Sequence, residues 1–444
     1  MYVKSKPHRG MAFCQPARAL RNVGIFGFAA FTLIPVLGHA QTPTEAQPQS
    51  SFNRDRNISV QDRPRPEYEN QGLRRGAFIW RPSLNSYLAY SDNVFASDEG
   101  EEADGLLTLQ PTIRVASDWS SNRVDAFANL LHQEYFENSG ESTTGYAFGA
   151  SGQLDASRAV RFEAGADYRR AFEGRTVIGA SQVSLDPIEF GQSNGFLGVV
   201  REFGRTRLSA DGTVLTTDYK DAALLDGTEI DQDFRDQTQL GFAARADYAF
   251  SPETAFFARA AYIDVDHDEL PVTGQRRDRE TINARVGVDF ELSRLVRGQV
   301  GLGYFTTDFL SAELDTVDGF GFDAELEWFA TPLITLTTSG ERGTRSSELL
   351  ISPATTQTRF GLKADYEYRR NIIFSAGYDF IDDDYNFADR SDERNDFYLA
   401  GLVLLNPNIG LEARLSRRSL DSQGTLAQSD FDETRLLFGL RWQL

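Results

Sequence analysis

A chain of 444 residues with one cysteine and four histidines has few means of reactive chemistry. The cysteine, Cys14, follows Phe13 and lies before the first apolar run, ahead of where a lipid-bearing cysteine belongs, so removal of the leader would leave no thiol. Disulfides, thiolate metal sites and cysteine nucleophiles are thereby excluded, although export would permit disulfides. Basic charge is short as well. The 45 Lys and Arg stand against 65 Asp and Glu, a formal net charge of −20, which argues against a nucleic-acid binder. Past residue 40, no segment approaches the ~18 uninterrupted apolar residues expected of a spanning helix.

What is present begins with a leader. Residues 1–40 join basic Lys4, Lys6, Arg9, Arg18 and Arg21 to an apolar run from Val23 to Leu37 and the exit Gly38-His39-Ala40. This is the pattern of a secretory signal peptide cut after Ala40. It holds five bases and no acid, so its loss takes the formal charge from −20 to −25. Residues 41–75, with Thr42-Pro43-Thr44 and Arg63-Pro64-Arg65-Pro66, have only scattered apolar side chains and read as a disordered periplasmic segment.

From residue 76 to residue 444 the apolar pattern has period two. Leu436, Phe438, Leu440, Trp442 and Leu444 alternate with Arg435, Gly439, Arg441 and Gln443. Phe320, Phe322, Ala324, Leu326 and Trp328 likewise oppose Asp323, Glu325 and Glu327. Successive side chains of a strand point to opposite faces, so each set lies on one surface, lipid-grade on one side and wet on the other. Phe and Tyr, at 33 and 16, suit such a surface. Three segments, 124–135, 194–203 and 253–263, carry apolar residues on both faces, and their facing is not defined by the pattern.

A soluble sandwich alternates too, and the connections separate the two folds. Short links recur at 119–122, 155–159, 203–205, 251–254, 293–296, 330–333, 369–371 and 406–408. Between them lie long, acidic links at 91–105, 136–144, 174–191, 220–236, 264–280, 306–319, 341–357, 382–396 and 419–432. Nine long and eight short links make 17 connections and 18 strands, an even count that places both termini on one side. Strict long/short alternation belongs to an up-and-down membrane barrel with short periplasmic turns and long external loops. The expectation is an all-β, transmembrane, antiparallel barrel of 18 strands in the outer membrane, with N- and C-termini in the periplasm and contacts to outer-membrane lipid and lipopolysaccharide.

Arg75-Gly76-Ala77-Phe78-Ile79-Trp80-Arg81-Pro82-Ser83-Leu84, followed by Tyr90-Ser91-Asp92-Asn93-Val94-Phe95, resembles the opening strand and turn of the Putative beta-barrel porin family of proteobacteria. The end, Arg435 to Leu444, is similar to the family's last strand, so the resemblance covers 74–444. It implies an outer-membrane barrel, with exopolysaccharide or capsule export in some members and a periplasmic export partner for such a cargo. It supplies no catalytic residue and no cofactor. The final strand also resembles the signal read by the barrel-assembly machinery, carried here by Phe438, Leu440, Trp442 and Leu444; that signal ordinarily ends in an aromatic residue, and here it ends in Leu444.

The expected pore-lining residues are the charges of the wet face: Glu163, Arg169, Arg245, Asp247, Arg285, Asp289, Asp323, Glu325, Glu327, Arg359, Asp365, Arg414, Arg435 and Arg441. A barrel of this size encloses an aqueous channel unless plugged, and mixed charges along it offer partners to hydroxyl-rich solutes or simply brace the wall. The link 174–191 holds Val177, Ile178, Val183, Leu185, Ile188 and Phe190, which would either fold inward and narrow the pore or pack over the rim. Acids at 98–102, 264–269 and 382–384 include Asp264, Asp266 and Asp268 as candidate calcium ligands, but none has the spacing of a known loop, and solvated charge is the simpler account. Only His132 and His267 remain after cleavage, too few and too isolated to make an enzyme. Three functions stay open: polysaccharide export as the first, then a structural or adhesive barrel displaying acidic loops, then a general small-solute porin.

Overall fold

The structure is a computed structural model that describes residues 57–175, 184–224, 227–271, 274–347, 349 and 352–444. Eighteen strands form one antiparallel sheet in sequence order. They are β1 (Phe78–Ser91), β2 (Asp104–Ser117), β3 (Arg123–Tyr135), β4 (Thr143–Asp155), β5 (Val160–Phe172), β6 (Glu189–Phe203), β7 (Thr206–Tyr219), β8 (Gln237–Ser251) and β9 (Thr254–His267). The second half is β10 (Arg279–Leu292), β11 (Val296–Phe309), β12 (Val317–Thr331), β13 (Ile334–Ser346), β14 (Ala354–Arg369), β15 (Ile372–Tyr385), β16 (Ser391–Asn406), β17 (Ile409–Gln423) and β18 (Phe431–Gln443). The sheet closes on itself where β1 pairs with β18, from Ser83 opposite Gln443 to Ser91 opposite Arg435. Closure satisfies every strand edge, which an apolar solvent requires because it offers nothing to a free N–H or C=O.

Two-residue periodicity decides which side chain faces out. Phe162, Leu197, Phe242, Phe250, Val286, Phe320, Leu362 and Phe438 are all exposed on the outer surface, where water would be a poor solvent for so continuous an apolar band. Tyr90, Tyr248, Trp328 and Tyr368 are exposed on the same surface near strand ends. The inner surface carries the polar residues. Strands of 13 to 16 residues exceed the ~9–11 that cross a bilayer, so the ladder continues past the apolar band.

All the short links lie at one end, here the turn end, and all the long ones at the other, the loop end. Several expected loops are largely strand. The 382–396 link narrows to 386–390 and the 306–319 link to 310–316, because the ladders run on through Asp384 opposite Thr356 and through Phe309 opposite Arg279. The tight turn between β6 and β7 places Gly204 at φ +60°, a conformation that an L side chain resists. Among the described residues no helix is long and apolar enough to cross a membrane.

The signal peptide and residues 41–56 lie outside the described residues. From Asn57 onward the expected disorder does not hold. Val60 and Arg65 are buried, and Leu73–Arg75 pairs back on Phe78–Trp80. Composition alone judges a segment against water, and this one meets a preformed wall of acids at the turn end of β14, whose fit to its arginines is described below.

Candidate functional site

The lumen is the one surface that the fold builds and then withholds from the membrane. Glu163 and Arg169 stand on the inner face of β5, Arg245 and Asp247 on β8, Arg285 and Asp289 on β10, and Asp323, Glu325 and Glu327 on β12. Arg359 and Asp365 share that face on β14, as do Arg414 on β17 and Arg435 and Arg441 on β18. Each alternates with an outward residue such as Phe162, Phe242, Val286, Phe320, Phe360, Leu415 or Phe438.

Most of these charges are spent on near neighbours. Arg359 meets Asp379 at 2.7 Å across β14 and β15, Arg418 meets Asp396 at 2.6 Å across β16 and β17, and Arg435 meets Glu433 at 2.6 Å along β18. Arg245 reaches Asp247 at 2.8 Å on its own strand and donates to Gln299 Oε1 at 3.0 Å, three strands away. Arg285 pairs with Asp323 at 3.2 Å and lies over Gly321, where any side chain would occupy its guanidinium. These contacts run within a strand or between strands one to three apart on the inner face.

A second inner-face device was not legible in the sequence. Aromatic rings lie directly opposite glycines in the register: Tyr87 on Gly439, Phe127 on Gly149, Phe196 on Gly165, Phe257 on Gly287, Phe305 on Gly319 and Tyr398 on Gly377. A Cβ at any of these glycines would meet the ring. The ring covers backbone that glycine leaves bare, the cross-strand rescue known for such pairs, and it lies flat. Two rings carry a third layer. The Arg414 guanidinium sits 4.0 Å from the Tyr398 ring centre and that of Arg245 4.1 Å from the Phe257 centre, each adding a cation–π contact. Phe127, Phe196 and Phe257 are the inward aromatic rings within the three segments whose facing the pattern leaves undefined. A glycine at an inner position one strand away is the only signal, and it needs the register to be read.

Some arginines have no carboxylate partner among the described residues. Arg414 has only its ring, Arg441 donates to Gln443 Oε1 at 3.0 Å, and Arg81 and Arg114 face each other across β1 and β2. Like charges directly opposite repel, so the Arg81–Arg114 pairing concentrates positive charge there, with Glu412 the inner-face acid nearest in the register.

At the loop end, buried ion pairs tie the loops together. Arg235 joins Glu173 and lies 3.9 Å from the Tyr219 ring centre, and Arg175 joins Glu141 in the next loop. Of the apolar residues in the 174–191 link, Val177, Ile178 and Val183 lie outside the described residues. Ile188 and Phe190 pack with Tyr219 and Ala222 at the rim, and Leu185 is exposed. The candidate ligands Asp264, Asp266 and Asp268 are not brought together as a group. Among the described residues the acids that do converge are Asp221, Asp231 and Asp233, with oxygens within 4.8 Å of one another. Gly191-Gln192-Ser193-Asn194-Gly195 has the spacing of a nucleophile elbow but lies inside β6, with Ser193 opposite the outward Tyr168, so it forms no elbow.

Asp236, in the loop before β8, accepts from the Tyr219 amide at 2.6 Å. Burial, reinforced by Asp218, Asp233 and Asp268, nevertheless pushes its carboxyl up to about 6 from 3.8. A folded-state value raised above the unfolded one means that protonation stabilises the folded loop. That contribution is complete below pH 3.8 and lost as pH rises through about 6. Amide-exchange protection of residues 227–236, corrected for intrinsic rates, is expected to be greater at pH 5 than at pH 7.5. Asp236→Asn should abolish the difference; an unchanged pH difference in that variant would refute the assignment.

Residues 65–444 match the family described as Putative beta-barrel porin 2. No curated protein matches. Among solved structures, Acinetobacter baumannii OccAB2 aligns at 15% identity over 83% of this chain and 100% of its own, with a TM-score of 0.47. Pseudomonas aeruginosa OccK2 (OpdF), solved in complex with glucuronate, aligns at 11% over 84% and 100%, with a TM-score of 0.46. The Pseudomonas aeruginosa outer membrane protein opdK aligns at 14% over 82% and 99%, with a TM-score of 0.45. The family match spans the whole closed wall from the buried Arg65 to the last strand, and the chain therefore belongs to the Putative beta-barrel porin 2 family of outer-membrane β-barrel porins.

Proposed function

We propose that this protein is a passive channel for small hydrophilic solutes, with its turn end and both termini in the periplasm. The observation that carries this reading is the polar inner face of a closed 18-strand wall, whose ion pairs join near neighbours and whose aromatic rings lie flat on glycines. Barrels of 16–18 strands leave an aqueous channel, and mixed charge with hydrogen-bonding groups suits hydrated solutes. Polysaccharide export, the cargo implied by the resemblance, would use the same wall but must thread a polymer past the segment anchored at the turn-end mouth. Small solutes face no such step. A barrel that serves only to display its acidic loops needs no such lining.

Purified protein reconstituted into a planar bilayer is expected to give discrete, ohmic current steps, and vesicles bearing it should swell in small sugars. A deletion strain is expected to keep its bound and released polysaccharide. Loss of polysaccharide without loss of small-solute uptake would overturn the small-solute reading in favour of export.

A further inference from the structure

The segment from Asn57 to Pro66 is seated inside the turn-end mouth by contacts to four strands. Arg297 on β11 donates to Asn57 O at 3.3 Å, and the Val60 amide donates to Thr335 Oγ1 on β13 at 3.1 Å, with Val60 fully buried. Gln61 Nε2 donates to Asp365 on β14 at 2.7 Å and to Ser375 on β15 at 3.0 Å. Arg63 and Arg65 both pair with the buried Glu367, at 2.9 and 3.1 Å, while Arg65 also donates to Val60 O and to Arg370 O. From there the chain passes to Leu73, which pairs beneath β1. A surface-adsorbed tail would not bury its own backbone and guanidinium groups in this way.

The ion pairs of the strap among the described residues both fall on one acid, Glu367. The strap lies on the acidic arc, and its two arginines and one amide are spent on Glu367 and Asp365, the latter also held by Lys363 at 3.2 Å. At the same end, three to five strands along the wall from β15, stand Arg441, Arg81 and Arg114, with no carboxylate in contact among the described residues and Glu412 as the inner-face acid nearest in the register. The strap therefore covers Glu367 and Asp365, while Arg81, Arg114 and Arg441 stay uncovered. We infer that residues 57–66 are a built-in selectivity element: they narrow the turn-end mouth from its acidic side and leave an aperture whose free charge is positive, so that small anionic solutes pass in preference to cationic ones. This rests on the channel reading above and adds the solute class to it. Field lines from the free guanidinium groups raise the local concentration of anions in a low-dielectric opening.

The test uses the full chain in planar bilayers, with single-channel conductance in symmetric KCl and reversal potential in a KCl gradient. The wild type is expected to favour chloride over potassium by at least about twofold. In the variant Val60→Gly, Gln61→Ser, Arg63→Ser, Arg65→Ser, which keeps the chain length, conductance should rise and the preference should move toward potassium as Asp365 and Glu367 are uncovered. Arg114→Ala with Arg441→Ala should lose the chloride preference with the strap intact. Glu367→Gln loosens the same anchor by a single uncharged replacement and should raise conductance even where the fourfold variant fails to assemble. Equal conductance and equal reversal potential in wild type and strap variants would overturn the strap alone. Silence of every folded form would overturn the channel reading, and the strap with it.

Discussion

Deleting Arg441–Leu444 is expected to abolish assembly outright: no heat-modifiable folded band and no protein at the surface. The four residues supply the turn end of the closing seam. Arg441, Trp442 and Gln443 face Asn85, Leu84 and Ser83 on one side, and Leu444 N donates to Pro82 O at 3.0 Å. On the other side Trp442 faces Ile409, Gln443 N donates to Asn408 O at 2.9 Å, and Asn408 Nδ2 returns a bond to Gln443 O at 2.7 Å. Removing them frees backbone groups on both β1 and β17. Each such group costs roughly 2–7 kcal/mol where no water can replace the partner. A few of them exceed the ~5–15 kcal/mol that holds a typical fold together. Trp442 is also lost from the outward apolar row of Phe438 and Leu440, the row expected to be read during assembly. Normal surface levels of a folded, truncated barrel would refute both parts of this account.

Gly377→Val should be strongly destabilising although the glycine has no polar side chain of its own. An added Cβ at Gly377 would fall within the Tyr398 ring, and that ring cannot retreat freely because the Arg414 guanidinium is stacked 4.0 Å away on its other face. Overpacking of this kind costs about 1–3 kcal/mol, to which the lost cation–π contact adds. Tyr398→Ala removes the obstacle, so the double variant is expected to regain most of the stability lost by Gly377→Val. The two substitutions are thus coupled by roughly 1–3 kcal/mol, as contacting residues are. Denaturation midpoints of the barrel refolded into lipid vesicles measure this directly. Simple additivity of the two changes would show that the layered stack contributes nothing.

Sequence and tertiary structure divide the explanation between them along a physical line. The sequence by itself determined the class of fold and the strand count. The period of two sorted Phe162 from Glu163 and Trp442 from Arg441, and the alternation of short with long links counted 18 strands, which the closed sheet of β1 to β18 matches. Those signals are local: a strand's two faces meet different solvents whatever its neighbours are. Register is not local. Phe127, Phe196 and Phe257 make their strands look apolar on both faces, and only their pairing with Gly149, Gly165 and Gly287 shows that each ring covers bare backbone. The seating of Arg63 and Arg65 is still less local, since Glu367 lies some three hundred residues along the chain. A polar, proline-rich stretch reads as disordered against water. It becomes ordered once closure gathers a buried carboxylate and a row of acceptors at one mouth, because an anion out of water binds a guanidinium far more strongly than one in it.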